Sequence, residues 1–335
     1  MTSPKNARQQ RGRLYVWPPE PPYELEVPNV TGIISGGLPK PFLKGWAAKE
    51  VAAAAVKRQG AWRGILEDEG PDAAIDYLKG APYRHTRKRA DVGTEVHDVI
   101  ERRIKGEHDP DAISDEAKGF LRGFDRFHEE WQPTFEHAEV TIYSRTFEYA
   151  GTADGIAVLN ARPDLGRVVV DWKTSKALYS DNAMQLTALA KGDFIAVERD
   201  GKWSEEPLGS IEHGLLVRFT ANGEYEARIV NVSDAIFDTF LACKRVARWD
   251  REVGPTAMSE PIVLDGAKPQ LTHVESPAVH EALAWLRDNG PATLTEVAEG
   301  LDITERAARG RLRKAWKDHG LVEFDTGAEV FSYGA

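Results

Sequence analysis

One short run of residues constrains the fold more than any other, the sequence VVVDWK at residues 168–173. Its three valines predict a short buried strand. Side chains alternate between the two faces of a strand, so Asp171 and Lys173 point to one side and Trp172 to the other. A buried carboxylate beside a buried ammonium costs free energy unless both groups are paired or bind something. This strand end is therefore expected to belong to a site.

A second carboxylate lies 17 residues earlier, where Asp154 ends the GTAD motif of residues 151–154 within another strand-like run. Two carboxylates and a lysine at strand ends are typical of a metal-assisted phosphodiester-cleaving site. Asp154 and Asp171 would hold Mg²⁺ or Mn²⁺, and the backbone carbonyl of Trp172 would add an oxygen ligand. Lys173 would orient the attacking water and stabilise charge on the phosphate. Taken alone, Asp-x-Lys fits a salt-bridged surface strand equally well.

A helix is predicted around residues 93–101, where Val96, Val99 and Ile100 form an apolar stripe. His97 lies beside that stripe, and on this pattern alone it is either a hydrogen-bonded core residue or a metal ligand. The most basic run of the chain precedes the helix at residues 83–89. This run is either a solvated helix face or a phosphate contact, and the candidate DNA-binding residues in it are Arg84, Arg87, Lys88 and Arg89.

The remaining periodicity predicts an α/β fold with a mixed central sheet flanked by helices over residues 30–250. Helices are expected at residues 43–59, 71–78, 114–131, 177–191 and 233–249. Strands are expected at residues 135–143, which include Glu139, and at 147–159, 167–173, 211–219 and 224–230. Residues 1–29, rich in proline, glutamine and arginine, are predicted to be a mobile N-terminal arm.

A second domain is predicted after a proline-containing linker at residues 251–277. Residues 278–335 show three helices and a hairpin, the pattern of a winged helix-turn-helix domain. The third helix is basic, as suits a DNA major groove, although winged helices also serve as protein-packing modules. The candidate DNA-binding residues on it are Arg306, Arg309, Arg313 and Lys317.

Composition removes several classes of function. A single cysteine, Cys243, excludes an internal disulfide framework and an all-cysteine iron–sulfur site made by this chain alone. No apolar run approaches a membrane span, so we expect a cytoplasmic protein without a membrane partner. The net charge of −10 argues against a general nucleic-acid coat and confines any DNA contact to local basic patches.

The motifs occur in a specific order: Gly-x-x-x-His on a helix, Gly-x-x-Asp on a strand, Asp-x-Lys on the next strand and a glutamine on the next helix. This order resembles the PD-(D/E)xK nuclease superfamily, and within it the RecB-like nucleases, over roughly residues 30–250. The resemblance implies a restriction-endonuclease-like core and a metal-dependent DNA nuclease. It implies that His97, Asp154 and Asp171 are metal ligands and that Lys173 is the catalytic lysine. Gln185 would hydrogen-bond the site or the DNA strand. Glu139 would be a further acid that binds a second metal or a water, or that supports the site.

Two departures from the family pattern are informative. The family's helix usually reads Gln-x-x-x-Tyr, whereas Leu189 stands at the tyrosine position here. The four cysteines that hold an iron–sulfur cluster in many relatives are missing, so no cluster is expected. The chain thus looks like the cluster-free, phage-encoded branch, and its segments LPKP (residues 38–41) and WAAK (46–49) are similar to those of actinobacteriophage exonucleases.

The resemblance therefore implies an exonuclease that acts on DNA ends in phage replication or recombination, in the cytoplasm of a bacterial host. A phage recombination or replication protein is a possible further partner. Two other functions stay open. One is a structure- or sequence-selective endonuclease guided by the winged helix, and the other is a non-catalytic DNA-binding regulator on a nuclease fold.

Overall fold

A seven-stranded mixed sheet forms the centre of the larger of two compact units in this computed structural model. The structure describes residues 7–9, 13–259, 277–319, 322–325 and 330–333. The larger unit comprises Met1–Gln59 and Leu78–Met258, and the smaller one comprises Gly60–Tyr77 and Ser259–Ala335. Within the described ranges, every helix is too short or too polar to cross a bilayer.

The strands are β1 (Ala7–Gln9), β2 (Arg13–Trp17), β3 (Leu25–Pro28), β4 (Pro133–Ser144), β5 (Tyr149–Leu159), β6 (Arg167–Lys173), β7 (Phe194–Arg199), β8 (Lys202–Pro207), β9 (His213–Phe219), β10 (Tyr225–Asn231), β11 (Ala292–Thr293), β12 (Val322–Asp325) and β13 (Val330–Tyr333). The α-helices are α1 (Val30–Gly37), α2 (Phe42–Lys57), α3 (Gln59–Glu69), α4 (Pro71–Lys79), α5 (Ala81–Ile104), α6 (Asp115–Trp131), α7 (Ser180–Ala190), α8 (Asp234–Arg248), α9 (Pro277–Asn289), α10 (Leu294–Gly300) and α11 (Glu305–His319).

Strand β6 lies in the middle of the central sheet, whose order is β10-β9-β6-β5-β4-β7-β8. It pairs with β9 in parallel and with β5 antiparallel, and the other neighbouring pairs are antiparallel. A central strand is covered on both faces, which explains why its valines form an unbroken apolar run. The predicted α/β class with a mixed, helix-flanked sheet is confirmed.

Helices cover both faces of this sheet and divide its core into two layers. Helices α1, α7 and α8 bury residues such as Ile33, Leu186 and Phe240 on one face. Helices α5 and α6 bury residues such as Ile100 and Phe127 on the other. The predicted strands and helices of residues 43–250 are therefore present, within a few residues at their ends, except that the helix predicted around residues 93–101 is part of the longer α5, which begins at Ala81. The hairpin β7–β8 and helices α1 and α3 were not predicted from the sequence.

The predicted mobile arm is wrong for the part of the N-terminus that the structure describes. Strands β2 and β3 pair antiparallel, and Tyr15 and Trp17 are buried. The ring of Trp17 lies 5.8 Å from that of Tyr143 and 5.6 Å from that of Phe194, and the Tyr143 hydroxyl donates to the Val16 carbonyl at 2.7 Å. The alternating apolar residues of the segment thus form a small sheet that packs on the core, whereas its prolines had suggested an extended chain.

The smaller unit has its own apolar core, formed by residues such as Leu286, Val297 and Leu312. Its C-terminal elements follow the order α9, β11, α10, α11, β12, β13, and the three strands form a sheet of order β11-β13-β12. The predicted three helices and hairpin are present, and the short strand β11 was not predicted. Helix α10 begins with a capping box in which Thr293 and Glu296 bond each other's backbone N–H groups. The predicted linker lies mostly at residues 260–276, outside the described residues, and residues 60–77 belong to this smaller unit rather than to the predicted nuclease domain.

We predict that Trp17→Ala lowers the free energy of unfolding by about 3–5 kcal/mol, because it removes a large aromatic side chain from a packed core. Trp249→Ala is the matched control: this tryptophan is 55% exposed, and we expect a loss below about 1 kcal/mol. Urea unfolding of the full chain measures both. Equal stability of wild type and Trp17→Ala would show that the N-terminal sheet does not support the core.

Candidate active site

The end of β6 brings together the charged pair that the sequence predicted. Asp171 is almost fully buried, and its Oδ2 lies 2.5 Å from the Nζ of Lys173. Both side chains line the same cleft. Trp172 points to the opposite face, where its ring contacts those of Phe124 and Phe127. The aromatic packing on one face therefore fixes the direction of the two charges on the other.

Asp154 on β5 is the second buried carboxylate of this cleft. Its Oδ2 accepts a hydrogen bond from the backbone N–H of Trp172 at 2.5 Å. Its Oδ1 lies 3.2 Å from the Nδ1 of His97, which reaches the cleft from α5. The histidine and both aspartates, separated by up to 74 residues along the chain, are thus brought together as predicted.

Gln185 on α7 completes the polar contacts of Asp171. Its Nε2 donates to Asp171 Oδ1 at 3.0 Å, and its Oε1 accepts from Lys173 Nζ at 3.5 Å. Asp171 Oδ2 is buried and, although close to Lys173, makes no hydrogen bond of acceptable geometry. The charge of this carboxylate oxygen is thus compensated by the Lys173 ammonium without a well-aligned hydrogen bond.

Glu139 on β4 also lines the cleft, in an unusual backbone conformation. The register pairs Ala138 with Gly155 and Val140 with Ala153, which places Glu139 opposite Asp154. Its φ of +48° lies in the left-handed region, which is rare for a residue with a side chain. Burial, reinforced by the charge of Asp154, raises the pKa of Glu139 to about 7. Two acids facing each other across a ladder are destabilising unless a proton or a cation separates them.

The buried charges in the cleft perturb one another. Burial raises the pKa of Asp171, and the neighbouring Lys173 only partly offsets this. Burial would lower the pKa values of His97 and Lys173, but the aspartates outweigh it and raise both. Burial would raise the pKa of Asp154, but His97, Lys173 and the N–H of Trp172 outweigh it and lower the pKa. The cleft therefore holds an ionised Asp154 beside a protonated Lys173 at neutral pH.

The other wall of the cleft was not predicted from the sequence. The N-terminus of α1 contributes Val30, Thr31 and Ser35, and Asn29 caps the helix by accepting from the N–H of Gly32 at 2.6 Å. The whole cleft has a volume of about 500 Å³. An asparagine directly before an apolar run was the available sequence signal for this helix start.

Close packing shapes the floor of the cleft. A Cβ atom on Gly151 would lie 3.0 Å from Leu189 Cδ2 and 3.1 Å from Val30 Cγ2, so the glycine lets α1 and α7 approach β5. Leu189 is 1% exposed and lines the cleft at the position where the resembling nucleases carry a tyrosine. The cleft does contain a tyrosine, but it comes from β2 and not from α7. Tyr15 lines the cleft, and its hydroxyl lies 2.8 Å from Thr152 Oγ1.

None of the predicted DNA-binding residues whose side chains the structure describes lines this cleft. Arg84, Arg87 and Arg89 are exposed on the first half of α5, the helix that carries His97 further along. Arg309 is exposed on α11, and Arg306 there pairs with Asp76 at 3.3 Å. The side chains of Lys88, Arg313 and Lys317 lie outside the described part of the structure.

The buried carboxylates of the cleft are the oxygen donors that suit Mg²⁺ or Mn²⁺. As placed, the described His, Cys, Asp and Glu side chains form no group of three that could hold a metal ion by themselves. The aspartates are instead engaged by His97, Lys173 and Gln185. Trp172 contacts Asp154 through its N–H, and the role of its carbonyl as a ligand stays a prediction.

Comparison with known proteins adds no family to this geometry. No protein-family model matches the chain, and no curated protein matches it in sequence.

We predict that Glu139→Gln stabilises the metal-free protein at pH 8 by roughly 1–3 kcal/mol and has little effect near pH 4.5. The raised pKa of Glu139 means that its favourable contribution is fully present below pH 4.5 and is lost as the pH rises through about 7. Glutamine keeps the neutral shape at every pH. Urea unfolding in EDTA at both pH values measures the difference.

Glu107→Gln is the control for this prediction, because Glu107 is exposed. We expect its effect on the free energy of unfolding to be the same at both pH values. A Glu139→Gln variant that is less stable than wild type at pH 8 would contradict the assignment.

Proposed function

We propose that the chain is a Mg²⁺- or Mn²⁺-dependent deoxyribonuclease with a restriction-endonuclease-like core. The observation that carries this proposal is the convergence of Asp154, in the middle of β5, with Asp171 and Lys173, at the end of the adjacent strand β6, in one cleft. Their order along the chain, with a helix histidine before them and a glutamine after them, is the order that resembles RecB-like nucleases. The reaction proposed is hydrolysis of a phosphodiester bond.

In this proposal Asp154, Asp171 and His97 hold the metal ion, and Glu139 binds a second ion or a water or supports the site. When bound, a divalent cation would supply positive charge and Lewis acidity next to the scissile phosphate. A water oxygen forms the new bond to phosphorus, the bond from phosphorus to the leaving sugar oxygen breaks, and a proton passes to that oxygen. The chain must therefore place a phosphate, orient a water and balance negative charge.

Lys173 fits the last of these tasks. Its raised pKa keeps it protonated at neutral pH, so it acts as a charged hydrogen-bond donor and not as a general base. A positioned cation that faces the charge developing on the phosphate lowers the barrier because it needs no reorganisation. Gln185 holds Asp171 and Lys173 in place, since it bonds both side chains.

In this proposal the enzyme cleaves at DNA ends and is therefore an exonuclease. Its proposed role is in phage replication or recombination. This part rests on the resemblance to phage-encoded exonucleases, and a phage recombination or replication protein stays a predicted partner. A structure- or sequence-selective endonuclease and a non-catalytic DNA-binding regulator are the alternatives.

We also propose that the smaller unit contains a winged helix-turn-helix domain that binds duplex DNA. The element order α9-β11-α10-α11-β12-β13, with β12 and β13 as the hairpin, supports this assignment. In such domains the third helix enters the major groove, and the third helix here begins with the residues ERAARGR at 305–311. Protein packing is the alternative role of this domain.

We predict that Asp154→Asn, Asp171→Asn and Lys173→Ala each lower the cleavage rate on linear duplex or single-stranded DNA by at least about 100-fold. Each variant loses a metal ligand or the charge that faces the phosphate. Cleavage of end-labelled DNA with Mg²⁺ or Mn²⁺ measures the rates. Lys202→Ala, on the edge strand β8, is the matched control and should cleave like wild type. If wild type and Lys173→Ala are equally inactive on all these DNAs, the nuclease proposal is wrong.

We predict that the wild-type protein degrades linear plasmid DNA and leaves the closed circular form of the same plasmid intact. A strict exonuclease requires an end, whereas an endonuclease does not. Gel analysis of both forms under identical metal conditions separates the two. Nicking or linearisation of the closed circle would favour the endonuclease alternative.

We predict that Arg309→Ala weakens binding of the full chain to duplex DNA and lowers the slope of log K against log salt by about 1, as expected for one lost phosphate contact. Arg287→Ala, on α9, is the matched control. Fluorescence anisotropy in EDTA measures binding without cleavage. An unchanged salt slope for Arg309→Ala would favour a protein-packing role for the domain.

A further inference from the structure

A second cavity, which we call the side pocket, lies beside the carboxylate cleft in the larger unit. It has a volume of about 500 Å³, and its walls come from α5, α6, the end of β9 and the loop at residues 174–176. That loop begins one residue after Lys173, so one wall of the side pocket starts where the cleft ends. Gly93 lets α5 and this loop approach each other closely, because a Cβ atom there would lie 3.0 Å from Thr174 Oγ1.

The lining of the side pocket combines an apolar floor with cations. Val92 and Phe120 are partly exposed in it, and Phe219 is buried beneath them. Arg89 and Lys176 stand at its edge and are exposed. Among the described residues neither of these two cations makes an ion pair, so each can bind an external anion. Glu116 is the one carboxylate in the lining.

Arg218 holds the loop wall of the side pocket in place. Its Nη1 donates to the carbonyl of Lys176 at 3.2 Å, and its Nε donates to Glu226 at 3.1 Å. Its charge is therefore largely neutralised inside the protein. Arg218 is a positioning residue, whereas Arg89 and Lys176 carry the free positive charge.

The cationic lining continues along α5. Arg89 also lines a second groove of about 360 Å³, which we call the α2–α5 groove. Among the described residues, Lys57, Arg58 and Arg84 line this groove together with it, and Glu50 is its one acid. Arg89 thus belongs to the lining of both cavities, which together we call the cationic path.

We propose that this path binds single-stranded DNA, with one unpaired base in the side pocket and the adjoining phosphates on Arg89 and Lys176. The inference rests on the proposed nuclease function and specifies which form of DNA reaches the cleft. Inside a duplex both faces of a base are covered by its neighbours, so the base that lies on Phe120 and Val92 has left the stack, which a single strand allows at little cost. A row of cations beside an aromatic floor is the arrangement by which proteins hold a single strand.

The test measures binding of the full chain in EDTA, so that no cleavage is needed. The probes are a labelled single-stranded oligonucleotide of about 12 nucleotides and a blunt duplex of the same length. We expect Arg89→Glu and Lys176→Glu each to weaken single-strand binding about tenfold or more and to reduce the slope of log K against log salt by at least about 0.7. Lys202→Glu should bind like wild type. Blunt-duplex affinity should change less than single-strand affinity for each variant.

Phe120 tests the base-stacking part of the proposal. We expect Phe120→Ala to weaken single-strand binding by about 5- to 100-fold and Phe120→Trp to restore it. An oligonucleotide with 2-aminopurine should lose its stacking-dependent quenching in Phe120→Ala and regain it in Phe120→Trp. A thermal melt by circular dichroism checks that both variants are folded.

The α2–α5 groove is tested by oligonucleotide length. Lys57→Glu with Arg58→Glu should weaken binding of an oligonucleotide of about 12 nucleotides and leave one of about 4 nucleotides unaffected, because the shorter strand fills only the side pocket. Equal loss for both lengths would overturn the proposed course of the strand from the side pocket into the α2–α5 groove.

Single-strand affinity that is absent in wild type, or unchanged in Arg89→Glu, Lys176→Glu and Phe120→Ala, would overturn the proposal. That outcome is distinct from failure of the nuclease proposal, which is decided by cleavage with the Asp154, Asp171 and Lys173 variants. A protein that cleaves DNA but binds single strands equally well in every variant loses only the side-pocket assignment.

Discussion

The larger unit is organised around two buried carboxylates that need compensation. Asp154 and Asp171 lie on adjacent strands, and each charge would cost several kcal/mol if it were left alone in the core. Their partners come from three different elements: His97 from α5, Lys173 from β6 and Gln185 from α7. Because α5 and α7 belong to different helical layers, the contacts that compensate the two aspartates hold both layers at the same point of the sheet. It is also incomplete, since Asp171 Oδ2 lacks a hydrogen bond and Glu139 faces Asp154 across the ladder. An excess of negative groups at one buried point is the electrostatic reason to expect a cation there.

The central sheet was predictable because burial leaves a clear pattern in sequence. The valines at residues 168–170 are buried on both faces of the sheet, as in a central strand, and the helices predicted to begin near residues 114 and 233 are capped there by Ser114 and Ser233. The N-terminal sheet was not predictable in the same way. Its strands are short, and the prolines around them indicate an extended chain unless the partner surface is known. The packing of Trp17 on Tyr143 and Phe194 and the hydrogen bond from the Tyr143 hydroxyl to Val16 show that this segment belongs to the core. The polar edge strand β8 was missed because little of it is buried, so its pattern is weak.

Within the site, the sequence predicted which residues take part better than it predicted their geometry. His97, Asp154, Asp171, Lys173, Glu139 and Gln185 all line the cleft, as the order of the motifs had suggested. No local signal indicated the left-handed backbone of Glu139, because it arises from the register of β4 against β5. The wall formed by α1 was missed because the cap at Asn29 was not recognised as a helix start. The basic run at residues 83–89 was predicted to precede the histidine helix, whereas it forms the first part of that helix, α5. Its relation to the cleft depends on α2 and on the loop after Lys173, which the sequence does not locate.

The net charge of −10 and a polyanionic substrate are compatible only if the contact charges are local and rigidly placed. Helix α5 provides that rigidity. It is 24 residues long and carries Arg84 and Arg89 on its first half and His97 further along. At 1.5 Å per residue, Arg89 and His97 are separated by roughly 12 Å along the axis. One continuous helix therefore fixes the distance between the cationic path and the carboxylate cleft, and no change elsewhere in the surface charge alters it. A strand guided by few charges depends on their positions more than on their number, which makes the proposed DNA substrate compatible with an acidic chain.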